Sequence, residues 1–273
     1  MSCVLKRKLL AIDMDGTCLN SRSKISDENL KWLRRAGAQG IEIVPATGRA
    51  LTCLPYQLKK ENLFRYVITS NGASVTDIST GRDIFRALIP QKTAVELMRE
   101  CGGKGVGMTV HIDHEYLVQG KLLAALGRLQ YGKDAASAKA LRDIVAYAAG
   151  MQSDVEELQF FFFSQSARRR TEQALRHYPE LAAAYAGNYV EIYSRNATKG
   201  TALAAVEKHL DIGQEETACI GDGENDFSMF REAGMCFAVQ NAVAGLKSAA
   251  DRVVASNDEN GVAEAIRYLL AVQ

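Results

Sequence analysis

Apolar runs alternate with amphipathic stretches along the first part of the chain. Three runs, Lys8–Asp13, Gly40–Gly48 and Arg65–Ala73, contain clusters of Leu, Ile and Val and predict strands. Between the first two, Ser26 precedes a stretch with helical periodicity, which is typical of a helix N-cap. Strands that alternate with helices in this way predict parallel strands joined by crossover helices.

The last part of the chain shows the same alternation of predicted strands and helices. Residues 198–210 and 261–272 predict helices, and short apolar runs at 216–222, 236–239 and 252–256 predict strands. The alternation of the first part therefore resumes here, and the two parts are expected to form one parallel sheet.

The middle of the chain predicts a different mixture of elements. Helices are expected at 92–101, near Ala125, near Leu141 and at 167–178, and strands at 107–113, 115–119, 157–163 and 189–194. The predicted fold is α/β: a doubly wound parallel-sheet core of residues 1–82 and 193–273, interrupted by an α+β domain of residues 83–192.

Bulk composition excludes several classes of function. The formal net charge is +1, which gives no electrostatic reason to bind nucleic acid or an anionic membrane. The six cysteines are scattered without C-x-x-C spacing, which predicts reduced thiols in a cytoplasmic protein. No signal-peptide pattern is expected at the N-terminus, and the most apolar run, Leu158–Phe163, is too short to span a membrane.

Polar, glycine-containing turns follow four of the predicted core strands. Asp13 and Asp15 follow the first strand, residues 47–49 ("TGR") the second, 70–72 ("SNG") the third, and 221–226 ("GDGEND") a strand near the end of the chain. Ligands bind at the carboxyl ends of the strands in an open parallel sheet. The four turns are therefore expected to form one site.

Carboxylates dominate this expected site. Hard oxygen ligands without His or Cys favour Mg²⁺. An EF-hand loop is excluded, because its sixth position needs Gly, and counting from Asp222 or Asp13 gives Phe227 or Cys18 there. Lys199 stands at a predicted helix start, where the helix dipole opposes its charge. An ammonium group that offsets the carboxylates explains this position.

Four motifs in this order resemble those of the haloacid dehalogenase superfamily of phosphohydrolases. They are "DMDGT" at 13–17, "ATGR" at 46–49, "TKG" at 198–200 and "GDGEND" at 221–226. The spacing leaves no room for a domain between the first two motifs, whereas the stretch before Lys199 is long. The chain thus resembles the Cof-type branch, with a late-inserted cap of the C2B type over a Rossmann-like core. Cys18 and Gln240 depart from the usual pattern of this branch.

The resemblance implies a role for each acidic residue. Asp13 would be the nucleophile that forms an aspartyl phosphate, and Asp15 the general acid and base. Mg²⁺ would be held by Asp13, Asp222 and the backbone carbonyl of Asp15. Lys199 would neutralise the nucleophile and the transferring group, and Asp226 would support the metal or Lys199 indirectly.

The resemblance also implies a phosphate-binding set and a substrate class. The residues expected to bind phosphate or substrate, besides Lys199, are Thr47, Gly48, Arg49 and Asn225. The substrate would be a small soluble phosphomonoester, first a sugar phosphate, then pyridoxal phosphate or flavin mononucleotide. The protein is expected to be a monomer or weak homo-oligomer without nucleic-acid or membrane partners.

Two alternatives remain open at this point. A phosphotransferase or phosphomutase would use the same aspartyl phosphate, and a non-enzymatic phosphosugar sensor would keep it. Polar residues of the cap that are candidates for contacting substrate are His111, Asp113, His114, Glu115, Tyr116 and Arg128. The two histidines are expected to be ordinary surface residues of a strand rather than metal ligands.

Overall fold

The structure, a computed structural model, describes residues 7–61, 63–131 and 137–271, without the side chains of residues 61 and 128–131. The Arg128 side chain and Cys3 thus lie outside the described set. The chain forms two compact units. The core unit comprises Met1–Gly48, Pro55–Arg86 and Thr198–Gln273, and the inserted unit comprises Arg49–Leu54 and Ala87–Ala197.

The core unit contains an eight-stranded sheet. Its strands are β1 (Leu9–Asp13), β2 (Glu42–Ala46), β3 (Tyr66–Thr69), β4 (Ser74–Asp77), β5 (Arg82–Arg86), β12 (Thr217–Gly221), β13 (Met235–Val239) and β14 (Arg252–Val254). Their order is β14-β13-β12-β1-β2-β3-β4-β5, and all pairs from β14 to β3 are parallel. The predicted α/β fold is confirmed.

The edge formed by β4 and β5 was not predicted from the sequence. Both strands are antiparallel to their neighbours, so the chain reverses directly after β3. Ser70, Asn71 and Gly72 make this reversal, with φ values of 48°, 56° and 99°. Three successive residues in the left-handed region turn the chain within one short 3₁₀ segment, which periodicity alone does not reveal.

Helices cover both faces of the core sheet. They are α1 (Asp27–Ala38), α2 (Tyr56–Glu61), α7 (Lys199–Leu210), α8 (Phe227–Glu232), α9 (Ala244–Ala249) and α10 (Gly261–Ala271). Ser26 accepts a hydrogen bond from Asn29 N at 3.1 Å, which confirms it as an N-cap. Leu10 and Ile12 of β1 pack in one apolar cluster and Leu9 and Ala11 in another. Burial on both faces explains why this strand reads as a continuous apolar run.

The inserted unit is an α+β domain around a six-stranded sheet. Its strands are β6 (Val106–Ile112), β7 (Glu115–Gln119), β8 (Lys139–Leu141), β9 (Val155–Phe162), β10 (Leu181–Ala186) and β11 (Tyr189–Ser194), in the order β10-β11-β9-β6-β7-β8. Its helices are α3 (Gln91–Cys101), α4 (Gly120–Tyr131), α5 (Ile144–Gly150) and α6 (Gln165–Leu175). Among the helices of the described residues, none is long and apolar enough to cross a membrane.

One helix of this unit begins later than predicted, and one strand was not predicted. Leu141 ends strand β8 rather than lying in a helix, because Asp143 caps the helix that starts after it: its carboxylate accepts from Ala146 N at 2.9 Å. Strand β10 has four alanines among its six residues and was not predicted. Alanine favours helices, and only pairing with β11 places this segment in a sheet.

His111 is buried, not a surface residue, with only 1% of its surface exposed. Burial lowers its pKa to about 4, and the charge of Glu156 opposes this only partly. The unfolded chain therefore binds more protons between pH 6.5 and 4, so stability is lost as the pH falls through this range.

We expect the free energy of unfolding of the inserted unit to fall by on the order of 3 kcal/mol over this range, measured by amide exchange of β6 and β9. His111→Gln should reduce this loss, whereas His177→Gln, at an exposed position, should leave it unchanged. An identical pH dependence in His111→Gln would contradict the assignment.

Candidate active site

The two aspartates of "DMDGT" lie in different environments. Asp13 is the last residue of β1 and is 5% exposed, whereas Asp15 is exposed. Between and after them the chain turns tightly: Cys18 N and Leu19 N donate to Met14 O at 3.1 and 2.8 Å. One carboxylate is thereby buried at the strand end while the other remains accessible to water.

Lys199 lies between two buried carboxylates. Its Nζ donates to Asp13 Oδ1 at 2.5 Å and to Asp226 Oδ1 at 2.7 Å, and it is 1% exposed. A capping box holds the helix start: Thr198 Oγ1 accepts from Thr201 N at 3.0 Å, and Thr201 Oγ1 accepts from Thr198 N at 3.1 Å. The predicted proximity of Lys199 to the carboxylates is thus present in the structure.

Both oxygens of Asp226 are engaged within the protein. Oδ1 accepts from Lys199, and Oδ2 accepts from the backbone N–H groups of Asp222 and Gly223, both at 2.9 Å. Gly221 makes room for this carboxylate, because a Cβ there would collide with it. Asp226 therefore shapes the turn after β12 and positions the ammonium group.

Asp222 faces the first motif, through contacts that sequence reasoning missed. Its Oδ1 accepts from the buried Thr17 hydroxyl at 2.9 Å. Gly16 has a φ of +87°, and a Cβ at this position would overlap the Asp222 carboxylate. The "GT" of the motif thus has a local function, but the sequence contains no signal that names Asp222 as its partner.

The carboxylates provide a fitting site for a metal ion. Asp13, Asp222 and Asp226 each offer an oxygen, and these oxygens lie within 4.8 Å of one another. Asp13 Oδ2 is buried and has no hydrogen-bond partner among the described residues. The cluster contains three carboxylates, and Lys199 is the ammonium group in contact with it, so negative charge is in excess. This all-oxygen donor set, with its excess negative charge, suits a hard divalent cation.

The pKa shifts of the site residues reflect the same excess of negative charge. Burial raises the pKa of Asp13 well above its ordinary value, and the charges of Asp226 and Asp222 add to this, while Lys199 opposes it. Burial alone would lower the pKa of Lys199, but the charges of Asp13 and Asp226 prevail and raise it. The ammonium group is therefore retained, and further positive charge would favour ionised Asp13.

A second group of polar residues lies around Thr47 and Gly48. Asn71 N donates to Thr47 O at 3.1 Å, and Asn225 Nδ2 donates to Asn71 Oδ1 at 3.0 Å. A Cβ on Gly48 would come within 3.1 Å of the Asn71 side-chain amide. Asn71, in a turn that the sequence already placed at the expected site, thus joins the second motif to Asn225.

Arg49 belongs to the inserted unit. Its guanidinium donates to Cys53 O at 3.4 Å, and the segment that carries it is held by Thr52, whose N and Oγ1 donate to His114 O at 3.1 and 3.0 Å. The other predicted site residues belong to the core unit. A role of Arg49 in phosphate binding stays a prediction.

Two asparagine side chains donate hydrogen bonds to the loop after β1. Asn241 Nδ2 donates to Gly16 O at 2.8 Å, and Asn257 Nδ2 donates to Leu19 O at 2.9 Å. Asn257 N also donates to Asn241 Oδ1 at 3.0 Å, which links the two.

Cys18, in the same loop, is a buried packing residue. Burial and the charge of Asp13 raise its pKa to about 12 and keep the thiol neutral.

Comparison with known proteins identifies the family of this chain. The sequence model of the haloacid dehalogenase-like hydrolases matches residues 10–266. The chain is 32% identical to Phosphatase YwpJ of Bacillus subtilis, over 96% of this chain and 100% of that protein. It is 31% identical to the Bacillus subtilis 5-amino-6-(5-phospho-D-ribitylamino)uracil phosphatase YwtE, over 97% and 99%.

A solved structure supports the same family. A haloacid dehalogenase-like hydrolase from Bacillus subtilis superposes with a TM-score of 0.83 and 30% sequence identity, covering 96% of this chain and 99% of that one. The family model, the solved structure and the full-length similarity to phosphatases therefore all point to the same family. The chain belongs to the haloacid dehalogenase-like hydrolases, and within them it is a phosphatase of the Cof type.

Proposed function

We propose that the protein is a Mg²⁺-dependent phosphomonoester hydrolase that acts through an aspartyl phosphate on small soluble metabolites, with sugar phosphates as the first candidates. One observation carries the proposal. The buried carboxylate of Asp13 is held on one side by Lys199, while its other oxygen, Oδ2, has no hydrogen-bond donor in the part of the chain that the structure describes. A nucleophile must be oriented in this way and still keep a lone pair for the substrate.

In the first step, Asp13 Oδ2 attacks phosphorus and the bond from phosphorus to the ester oxygen breaks. Asp15, whose side chain is exposed, donates a proton to the departing alkoxide. In the second step a water molecule attacks the phosphorus of the aspartyl phosphate, the bond from phosphorus to the Asp13 oxygen breaks, and Asp15 takes a proton from the water. Inorganic phosphate leaves, and both carboxylates return to their starting states.

The positive charge for this chemistry comes from two sources. Lys199 contacts the nucleophile and stabilises charge on the transferring group. Asp13, Asp222 and the backbone carbonyl of Asp15 would hold Mg²⁺, which when bound offsets the repulsion between the carboxylates and the phosphate. Asp226 keeps Lys199 and the turn after β12 in place.

The phosphate oxygens would be held by Thr47, the Gly48 N–H and Asn225. Asn71 orients this set through its contacts with Thr47 and Asn225. Gly48 has no side chain, so its backbone can approach a phosphate closely. Arg49 is proposed as a further phosphate or substrate contact.

The test is a phosphate-release screen over a panel of metabolite phosphates. The panel includes sugar phosphates, pyridoxal phosphate, flavin mononucleotide and the phosphoribitylaminouracil named for the relative YwtE. We expect release that stops with EDTA and returns with Mg²⁺. Transfer of the phosphoryl group to a second sugar instead of water would favour a phosphotransferase, and a phosphorylated protein that does not turn over would favour a sensor.

Asp15→Asn tests the general acid. We expect kcat/KM for alkyl phosphates to fall by about 10²–10⁴-fold, because an alkoxide needs a proton to leave. Aryl phosphates should lose much less, since a phenolate leaves without one. The ratio kcat/KM is the relevant measure because it reports phosphorylation of Asp13 and not the later hydrolysis. Equal losses for both esters would assign Asp15 a different role.

Thr17→Val tests the support of the metal site. The substitution removes the hydroxyl that donates to Asp222 Oδ1 and keeps the shape of the side chain. We expect the apparent affinity for Mg²⁺ to fall by about 10–100-fold, as for other residues that orient a metal ligand. Thr17→Ser retains the hydroxyl and should bind Mg²⁺ nearly as the wild type does. Indistinguishable Val and Ser variants would contradict this role.

A further inference from the structure

Two hydrogen bonds join the segment that carries Arg49 to one backbone carbonyl of the inserted unit. Leu51–Cys53 forms a 3₁₀ turn, and the Arg49 guanidinium donates to Cys53 O at its end. Thr52 donates to His114 O twice, from N at 3.1 Å and from Oγ1 at 3.0 Å. Because both donors converge on one acceptor, the backbone around Arg49 depends on where the His114 carbonyl lies.

This carbonyl lies in a turn that residues with side chains seldom form. Asp113 and His114 join β6 to β7, with φ values of 49° and 67°. Two successive positive values are those of a type I′ hairpin turn, in which residues other than glycine must be held by their surroundings. Ser153 Oγ donates to Asp113 Oδ2 at 2.7 Å, and His114 N donates to Glu156 Oε1 at 2.9 Å. The turn is thus held by strand β9 and by the loop before it.

Glu156 reaches the turn from a bulge in β9. The pairing of β6 with β9 skips this residue and continues on either side of it, at Val155 and Glu157, and such bulges redirect a side chain. Glu156 is 0% exposed, and its Oε1 lies 3.2 Å from His114 Nδ1 as well as accepting from His114 N. Burial alone would raise the pKa of Glu156, but His114 prevails through its hydrogen bonds and charge and lowers it. Glu156 therefore stabilises the turn as an ionised acceptor.

We propose that Glu156 is a positioning residue for Arg49. It fixes the turn that presents the His114 carbonyl, and this carbonyl fixes the segment of Arg49 through Thr52. The inference rests on the proposed role of Arg49 in binding phosphate or substrate. A guanidinium binds a phosphate well only in a defined orientation, so loss of the anchor should weaken substrate binding more than it slows the chemical step.

Kinetics of the full-length protein test the path from His114 to Arg49. Thr52→Val removes one donor to the His114 carbonyl and keeps the shape of the side chain, whereas Thr52→Ser retains the hydroxyl. We expect Thr52→Val to raise KM by about 3–10-fold with kcat nearly unchanged, for p-nitrophenyl phosphate and for the best sugar phosphate of the screen. Thr52→Ser should have the KM of the wild type.

A double substitution shows whether this effect runs through Arg49. In an Arg49→Met background Thr52→Val should raise KM no further, because the group that it positions is gone. An equal rise in both backgrounds, or a wild-type KM in Thr52→Val while Arg49→Met is impaired, would overturn the proposal. A wild-type KM in Arg49→Met would instead refute the substrate contact proposed for Arg49, and amide exchange then decides the anchor alone.

Amide exchange of the full-length protein tests the anchor independently of activity. Glu156→Met removes the acceptor of His114 N and nearly keeps the volume, whereas Glu156→Gln retains a carbonyl acceptor. The Thr52 amide should exchange about tenfold faster in Glu156→Met and change much less in Glu156→Gln. Ser164→Ala is the control: it removes an N-cap elsewhere in the inserted unit, which accepts from Ala167 N at 3.2 Å, and should leave Thr52 unchanged. Wild-type exchange of Thr52 in Glu156→Met would overturn the proposal.

Discussion

Asp13→Asn should lower kcat by about 10⁴-fold or more, the scale of losing a nucleophile in other covalent enzymes. The amide of Asn cannot attack phosphorus, so no aspartyl phosphate forms. The protein should remain folded in the absence of metal, because burial and the neighbouring Asp226 already disfavour the charge that this substitution removes. Lys199 keeps its bond to Asp226 in the variant.

Two measurements separate loss of the nucleophile from loss of the fold. A brief reaction with a labelled phosphomonoester, quenched in acid, should leave hydroxylamine-sensitive phosphate on the wild type and none on Asp13→Asn. Asp251→Asn is the control, because Asp251 is another aspartate of the core unit, which accepts a hydrogen bond from Cys236 N at 2.7 Å and lies outside the proposed site. Labelled, active Asp13→Asn would remove Asp13 from its proposed role.

Lys199→Met should impair both activity and stability. The substitution leaves Asp13 and Asp226 buried without the ammonium group that now contacts both. Breaking a buried ion pair by removing one partner costs about 3–5 kcal/mol, because the remaining charge is not compensated. Loss of positive charge at the transferring phosphate should also lower kcat by about 10²-fold or more.

Denaturant unfolding with EDTA present, together with kcat for the best substrate, measures the two effects. Lys31→Met is the matched control, because Lys31 pairs with Glu28 at 3.5 Å on the surface and such pairs contribute little. This control should unfold and react almost as the wild type does. A Lys199→Met protein with wild-type stability would show that the buried pair is not needed for folding.

The chemical nature of the candidate site was readable from short motifs. "DMDGT", "TKG" and "GDGEND" each place their polar groups at the end of a strand or the start of a helix, and strand ends of a parallel sheet share one edge. Asp13, Lys199 and Asp226 could therefore be expected together before any contact was known. The structure adds the direction of each contact: Lys199 lies between two carboxylates, and no described residue donates to Asp13 Oδ2.

Contacts between distant segments were not readable in this way. Thr17 pairs with Asp222, and Asn71 with Asn225, across separations of 205 and 154 residues. Neither motif identifies its partner, because the chain contains many other residues of the same types. Only the parallel order of β12, β1, β2 and β3 brings the four turns side by side.

By itself, then, the sequence determined the parallel α/β core and the acidic, lysine-containing character of the site, because these depend on local periodicity and on residue type. The tertiary structure alone decided that Ala-rich β10 is a strand, that His111 is buried and that residues 49–54 belong to the inserted unit. These features depend on pairing and burial against residues far away in the chain. No local window of the sequence contains that information.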